Sequence, residues 1–230
     1  MRKMLMLVVA VLLVTVGMAY ADKPPQEFYQ RVMEPCGFQT ITYNWDFAQG
    51  DQGFVPTVCD PDGLPVWEYG ATTYVPDAPP YVWGTILNAD YLNNAGHGLV
   101  SPSFMVDAST AYVEVDHYYD IETNYDGCNL KVNGNVVAPL AGYDGTISTS
   151  TSYFAYCVDM QEGFTGHDNM WRTDCWDLTA FEGEMVELEF DLGSDSIVDY
   201  PGWYLAAVRV GGIVVDNEQT SWGLIKGMYK

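Results

Sequence analysis

Positive charge is scarce in this chain. Nine Lys and Arg stand against 31 Asp and Glu in 230 residues. Arg2 and Lys3 fall in an N-terminal stretch expected to be removed, which leaves seven basic residues against 31 acidic ones, near −24. Such a surface repels polyanions and anionic lipid, so nucleic acid is not an expected partner and the mature chain is not expected to insert in a membrane. Histidine is scarcer still. His97, His117 and His167 are isolated, and no His-Glu-x-x-His pair sets two zinc ligands on one helix face. There is no Gly-x-Ser-x-Gly nucleophile elbow. No cysteine pair has Cys-x-x-Cys spacing, and no histidine stands beside the cysteines at zinc-ligand spacing. Sustained helical periodicity, internal repeats and low-complexity linkers are also missing. Carboxylates are plentiful, but a glycosidase pair needs a defined separation across a sugar, which linear spacing does not supply. The chain is expected to be non-catalytic.

What is present begins with an export signal. Arg2 and Lys3 precede an uncharged apolar run from Met4 to Gly17, and Ala19-Tyr20-Ala21 fits a small-residue cleavage site before Asp22. That run is short for a bilayer span, and no later segment is long and apolar enough to cross one. The expected organisation is a signal peptide over 1–21, a lead-in over 22–39, one β-sandwich over 40–215 and a tail over 216–230. The expected location is secreted, in the extracellular space or at the cell surface. Export permits disulfides. The five cysteines are odd in number, so one is left free or pairs with another chain. Sequence proximity alone suggests Cys36 with Cys59 and Cys157 with Cys175.

The body reads as strands and turns. Thr40 to Trp45 alternates among β-formers. Ala111 to Ile121 is the clearest strand, with Tyr112, Glu114, Asp116 and Tyr118 on one face and Val113, Val115, His117 and Tyr119 on the other; it predicts a half-buried antiparallel strand. Asn133-Gly134 between Leu130-Lys131-Val132 and Val136-Val137 predicts a hairpin, because both central residues of a type I′ turn need positive φ. Ser152 to Val158, Glu184 to Leu192 (with Val186, Leu188, Phe190 and Leu192 sharing a face) and Gly202 to Val210 complete the set. Turns are expected at Gly50–Gly53 and Asp60–Gly63. Short strands at roughly 8–12-residue spacing indicate an all-β, antiparallel β-sandwich of jelly-roll type in a single domain.

Two groups of residues are candidates for function. Trp67 to Asp107 concentrates aromatics among turn residues. Trp67 and Trp83 are expected to belong to the scaffold, whereas Tyr74, Tyr81 and Tyr91 are candidate ligand-binding residues, since rings with polar tips suit carbohydrate or protein surfaces. Glu122, Asp126, Asp195 and Asp199 lie in expected loops beside strands and are candidate ligands for a structural Ca²⁺, a cation that takes oxygen donors. The tail from Ser221 to Lys230 holds two of the seven mature basic residues and reads either as a final edge or as a docking peptide.

Several segments carry a family likeness. They are Trp45-Asp46-Phe47 through Gly53-Phe54, Trp67-Glu68-Tyr69-Gly70, Trp83-Gly84-Thr85-Ile86-Leu87, Leu99-Val100-Ser101-Pro102, Glu122 with Asp126-Gly127, Gly163-Phe164-Thr165-Gly166, Asp177-Leu178-Thr179 with Gly183, and Gly202-Trp203-Tyr204. In this order the chain resembles the non-catalytic jelly-roll domains, MAM-like or of choice-of-anchor type, attached to immune-inhibitor-A-type secreted metallopeptidases. It departs from them at Ala206 and Ala207, where the family usually has acidic residues. The resemblance implies the sandwich architecture and an accessory role, not an activity. The expectation is a secreted adhesion or binding module for carbohydrate or protein. The alternatives are a structural subunit that self-assembles through its terminal segments, and an accessory domain of a secreted hydrolase.

Overall fold

The computed structural model describes residues 36–59, 66–148 and 157–213. The expected signal peptide, the lead-in up to residue 35, the turn at Asp60–Gly63, residues 152–156 of one expected strand and the C-terminal tail lie outside the described residues. Cys157 and Val158, at the end of that expected strand, lie in a turn.

Among the described residues fifteen strands follow in order: β1 (Thr40–Asp46), β2 (Val55–Val58), β3 (Glu68–Gly70), β4 (Val82–Gly84), β5 (Gly96–Val100), β6 (Phe104–Met105), β7 (Tyr112–Asp120), β8 (Gly127–Val132), β9 (Asn135–Val136), β10 (Gly145–Thr146), β11 (Glu162–Gly163), β12 (Arg172–Asp177), β13 (Met185–Val186), β14 (Leu188–Gly193) and β15 (Gly202–Gly212). Only two short 3₁₀ turns interrupt them among the described residues. One sheet has six strands in the order β12-β7-β15-β4-β3, with β1 also on β15; the other has five, β2-β5-β14-β8-β9. Two short ribbons, β6 with β13 and β10 with β11, complete the set. All pairings are antiparallel. The fold is therefore the expected antiparallel sandwich.

The inner faces of the two sheets share one core. Val113, Val115 and Tyr119 of β7, Trp176 of β12 and Trp203, Leu205, Val208 and Val210 of β15 meet Leu99 of β5, Leu130 and Val132 of β8 and Leu188, Phe190 and Leu192 of β14. Burial of each such side chain stabilises by about 1.5–3 kcal/mol before chain entropy is charged against it. On β15 the inward positions change parity, from 203 and 205 to 208 and 210. A strict period of two would have sent Arg209 into the core. The register shift between Leu205 and Ala207 prevents this, as one extra residue in a strand reverses every later side chain. The small residues Ala206 and Ala207, where the resemblance fails, sit at this bulge. Arg209 consequently points outward, 2.8 Å from Glu114 and paired also with Asp116.

Strand β7 is more buried than its alternation suggests. Its outward Glu114 and Tyr118 are covered as fully as its inward residues. Cys36 lies over Glu114, its backbone N–H donating to Oε2 at 2.9 Å. Tyr118 packs in a second cluster with Val75, Val82, Leu87 and Tyr204. The Asn-Gly hairpin is present between β8 and β9, with φ of 48° at Asn133 and 77° at Gly134.

The disulfide pairing differs from the one suggested by proximity. The bonds join Cys36 to Cys175 and Cys59 to Cys157, at Cα separations of 5.2 and 5.6 Å. Cys128 is the free, buried cysteine. Sequence proximity misleads because the register decides. Cys175 of β12 stands opposite Glu114 of β7, which places it under Cys36, while Cys59 follows β2 on the other sheet.

Candidate functional site

At one end of the sandwich the chain passes from β7 to β8 through a tight turn, and the segment after β14 comes alongside. The Asp126 backbone N–H closes the turn by donating to the Glu122 carbonyl at 3.3 Å. Thr165 clamps the turn from the neighbouring loop, its hydroxyl donating to the carbonyls of Glu122 and Asp126 at 3.1 and 2.9 Å. The result brings Glu122, Asp126 and Asp195 together, with one carboxylate oxygen of each within 4.8 Å of the others. Asp126 and Asp195 are buried, and Glu122 is half-buried.

Each carboxylate is held differently. Asp126 Oδ1 accepts from the Asp195 N–H at 2.5 Å, and Oδ2 accepts from the Tyr91 hydroxyl at 2.6 Å. Asp195 Oδ1 accepts from the Ile197 N–H at 3.0 Å. Glu122 Oε2 is buried without a hydrogen-bond partner. Burial pushes the Asp126 carboxyl up to about 7, against the lowering effect of its two donors and with the Asp195 and Glu122 charges adding to the rise. Burial and the Asp195 charge raise Glu122 as well. An orphaned carboxylate oxygen beside two buried acids fits a hard cation, which bonds to oxygen and offsets this mutual repulsion. A Ca²⁺ bound there would supply charge compensation and a rigid tie between chain segments. Of the four expected ligands, three are brought together. Asp199 is not among them: it is exposed, and its charge acts instead on Tyr74.

The expected aromatic residues also separate. Tyr91 is fully buried, so it offers no ring to a surface ligand. Its phenol is turned inward to Asp126, and its oxygen accepts the Glu122 N–H at 3.2 Å. Burial and the neighbouring Asp126 hold this phenol well above the ordinary range. Sequence reasoning missed this role, because nothing in the spacing of Tyr91 and Asp126 signals contact. Tyr74 and Tyr81 are exposed, at 42% and 46%. Tyr81 stacks on Tyr69, ring centroids 5.9 Å apart and planes 22° from parallel. Tyr74 donates to Asp90 at 2.8 Å, a bond that raises its own pKa. The loop between them is fixed at two points, by Val75 in the second cluster and by the Trp171 indole N–H donating to the Pro76 carbonyl at 2.9 Å. Trp67 and Trp83 are buried in the main core, as expected of scaffold residues.

His117 lies in the interior rather than at a site. Its Nδ1 accepts from the Trp203 indole N–H at 3.0 Å, so the ring proton sits on Nε2 and faces Asp174 at 2.9 Å. Arg172 completes the group, with Nε 2.6 Å from Asp174 and a second contact to Asp168 at 2.8 Å. The His167 ring lies against Asp120 at 2.5 Å at the loop end.

No protein-family model matches the chain. Over 179 residues it is 23% identical to bacillopeptidase F of Bacillus subtilis, an alignment covering 72% of this chain and 10% of that protein. Over 131 residues it is 28% identical to the pre-pro-metalloprotease PrtV of Vibrio cholerae, covering 57% of this chain and 13% of that protein. The chain thus spans about a tenth of the length of the curated relatives it matches. Among solved structures, the cleaved adhesin domain of Lys-gingipain from Porphyromonas gingivalis superposes with a TM-score of 0.45 at 12% identity, over 74% of this chain and 98% of that one. The catalytic domain of a GH87 alpha-1,3-glucanase gives 0.29 at 10% identity, over 75% and 30%. Neither superposition carries a functional argument. The similarity that stands is partial and distant, to short regions of proteins named as proteases.

Proposed function

We propose that this chain is a secreted, non-catalytic β-sandwich module that binds carbohydrate or protein surfaces, with a structural Ca²⁺ at Glu122, Asp126 and Asp195. One observation carries the reading. The chain aligns over most of its length with regions that make up only 10% and 13% of two proteins named as proteases, the relation expected of an accessory module to the larger chains that use it. The two disulfides support an oxidising, extracellular location. Recognition is assigned to the loop bearing Tyr74 and Tyr81. Two exposed rings on a tethered loop offer apolar faces at low entropic cost, and Asp90 beside them can accept hydroxyl protons. The test is a glycan array and an extracellular-matrix protein panel probed with the secreted form. Binding that falls at least tenfold in Tyr74→Ala and Tyr81→Ala, with melting unchanged, supports the reading. Binding unaffected by both substitutions, or absent from both panels, removes it.

A further inference from the structure

The outer face of the five-stranded sheet carries a polar row at one register level. Thr57 of β2, Gly98 of β5, Asp191 of β14 and Asn129 of β8 stand opposite one another across four strands. Gly98 leaves a gap in the row, and its neighbours lean into it. The point a Cβ would occupy on Gly98 lies 2.5 Å from Thr57 Oγ1, 2.8 Å from Asp191 Oδ1 and 3.1 Å from Glu189 Oε1. A side chain at this position would displace at least the Thr57 and Asp191 oxygens.

Two of those oxygens, and a third in the same row, lack partners. Thr57 Oγ1, Asp191 Oδ1 and Asn129 Oδ1 are buried with no hydrogen bond, and Asp191 is only 1% exposed. Buried polar atoms without partners are rare, and three in one row call for an occupant. Neighbouring donors are already committed. Lys131 Nζ holds the other Asp191 oxygen at 2.6 Å and also bonds to the Cys157 carbonyl. The Asn129 amide nitrogen donates to Gln161 Oε1 and the Glu162 carbonyl, at 3.1 and 3.0 Å, which fixes the amide orientation and turns Oδ1 away from both. The Asp191 carboxylate also lies within 4.8 Å of the Cys59 and Cys157 sulfurs. These are bonded to each other and offer no thiolate, so a soft metal is not favoured. Two carboxylates face one ammonium group, which leaves negative charge to be met.

We propose that this row is a second cation site, separate from the Glu122–Asp126–Asp195 group, taking a hard divalent ion of the Ca²⁺ class between Thr57, Asp191 and Glu189 above Gly98. The donor set is carboxylate and hydroxyl oxygen, with an amide oxygen next in the row, as such ions require. Half-buried Thr57 and Glu189 form the solvent side, and fully buried Asp191 and Asn129 form the floor. Burial pushes Asp191 up to about 7 in spite of Lys131, with Glu189 adding to the rise, which is the electrostatic strain a cation relieves.

The experiment is equilibrium dialysis of the disulfide-bonded full chain against Ca²⁺, with bound metal counted by mass spectrometry. Thr57→Val keeps the shape and removes one donor; it is expected to weaken this site at least tenfold. Gly98→Ala fills the gap and is expected to abolish it. Asp126→Asn is expected to leave it intact. Calcium bound by the wild type, reduced in Thr57→Val and retained in Asp126→Asn, supports the proposal whether or not the other site fills. Bound calcium that Asp126→Asn removes completely, calcium unchanged in a folded Thr57→Val, or no calcium bound at all overturns it, the last leaving only ordered water in the row.

Discussion

The acidic group at the end of the sandwich makes a prediction about pH and calcium together. Burial raises the Asp126 carboxyl from 3.8 to about 7. A carboxyl raised in the folded state favours the protonated form there. Its contribution is complete below the unfolded value near 3.8 and is lost as pH rises through about 7. Holding Asp126 ionised above that point costs roughly 4 kcal/mol in the absence of a cation. A domain of this size shifts in melting temperature by about 2–4 °C per kcal/mol. In EGTA, differential scanning calorimetry should therefore show Tm falling by roughly 8–16 °C between about pH 4 and pH 8 from this group. Millimolar CaCl₂ should restore most of the loss at the alkaline end and little at the acid end, because the ion binds the ionised form. Asp126→Asn imitates the protonated carboxyl. It should melt above the wild type in EGTA at about pH 8 and respond to calcium less than the wild type does. Equal calcium responses in wild type and Asp126→Asn, or an Asn variant that melts well below the wild type in EGTA, would refute the reasoning.

Other expectations follow from the interior. Burial raises Asp174, but the hydrogen bonds from His117 and Arg172 and the Arg172 charge outweigh it and bring it to about 2. This contribution, roughly 2 kcal/mol, is present above the unfolded value and lost as pH falls from about 4 towards 2; acid unfolding followed by circular dichroism should shift to higher pH in Asp174→Asn. The same variant at neutral pH removes the buried counter-charge of Arg172 and one of the two acceptor oxygens shared with His117, and should cost about 3–5 kcal/mol in urea denaturation. Removing the Cys36–Cys175 bond, which closes a separation of 139 residues, should cost up to about 5 kcal/mol in the chain-entropy account, read as a fall in the denaturation midpoint of Cys36→Ser/Cys175→Ser. Burial holds the Cys128 thiol far above its ordinary value, so a thiol reagent should label it only on unfolding; rapid labelling of the native protein would contradict the packing.

The sandwich was legible because its signals are local. The alternation in Tyr112–Asp120, the Asn133-Gly134 turn and the periodic Val186–Leu192 run each declare a strand or hairpin without help from the rest of the chain. The β15 bulge was hidden, since GWYLAAVRV reads as one continuous apolar strand until Arg209 has to be placed. Glu122, Asp126 and Asp195, three of the four expected acids, could be singled out because each flanks a strand end. Which of them meet was not legible, nor was the inward turn of Tyr91, because both depend on how two sheets stack. Disulfide pairing failed for the same reason: proximity in sequence is no guide to neighbours across a sheet. The row at Gly98 is the extreme case, since its members come from four strands and share nothing in sequence.

Placement of the crosslinks leaves the acidic group at a joint between the two layers. Cys36–Cys175 lies on the outer face of the six-stranded sheet, above Glu114 and opposite the core-facing Trp176. Cys59–Cys157 lies on the outer face of the five-stranded sheet, beside the outward Asp191. Neither bond passes between the layers. Glu122 follows β7 of the six-stranded sheet, whereas Asp126 precedes β8 and Asp195 follows β14 of the five-stranded one. A cation bridging these three would therefore tie one sheet to the other at the end where β7 crosses to β8. Hydrophobic burial holds the layers face to face but does not fix their relative slide. A bridge of directed oxygen bonds at one end does. Reduction should therefore loosen each layer, and chelation of an ion bound at these three carboxylates should loosen the joint between the layers.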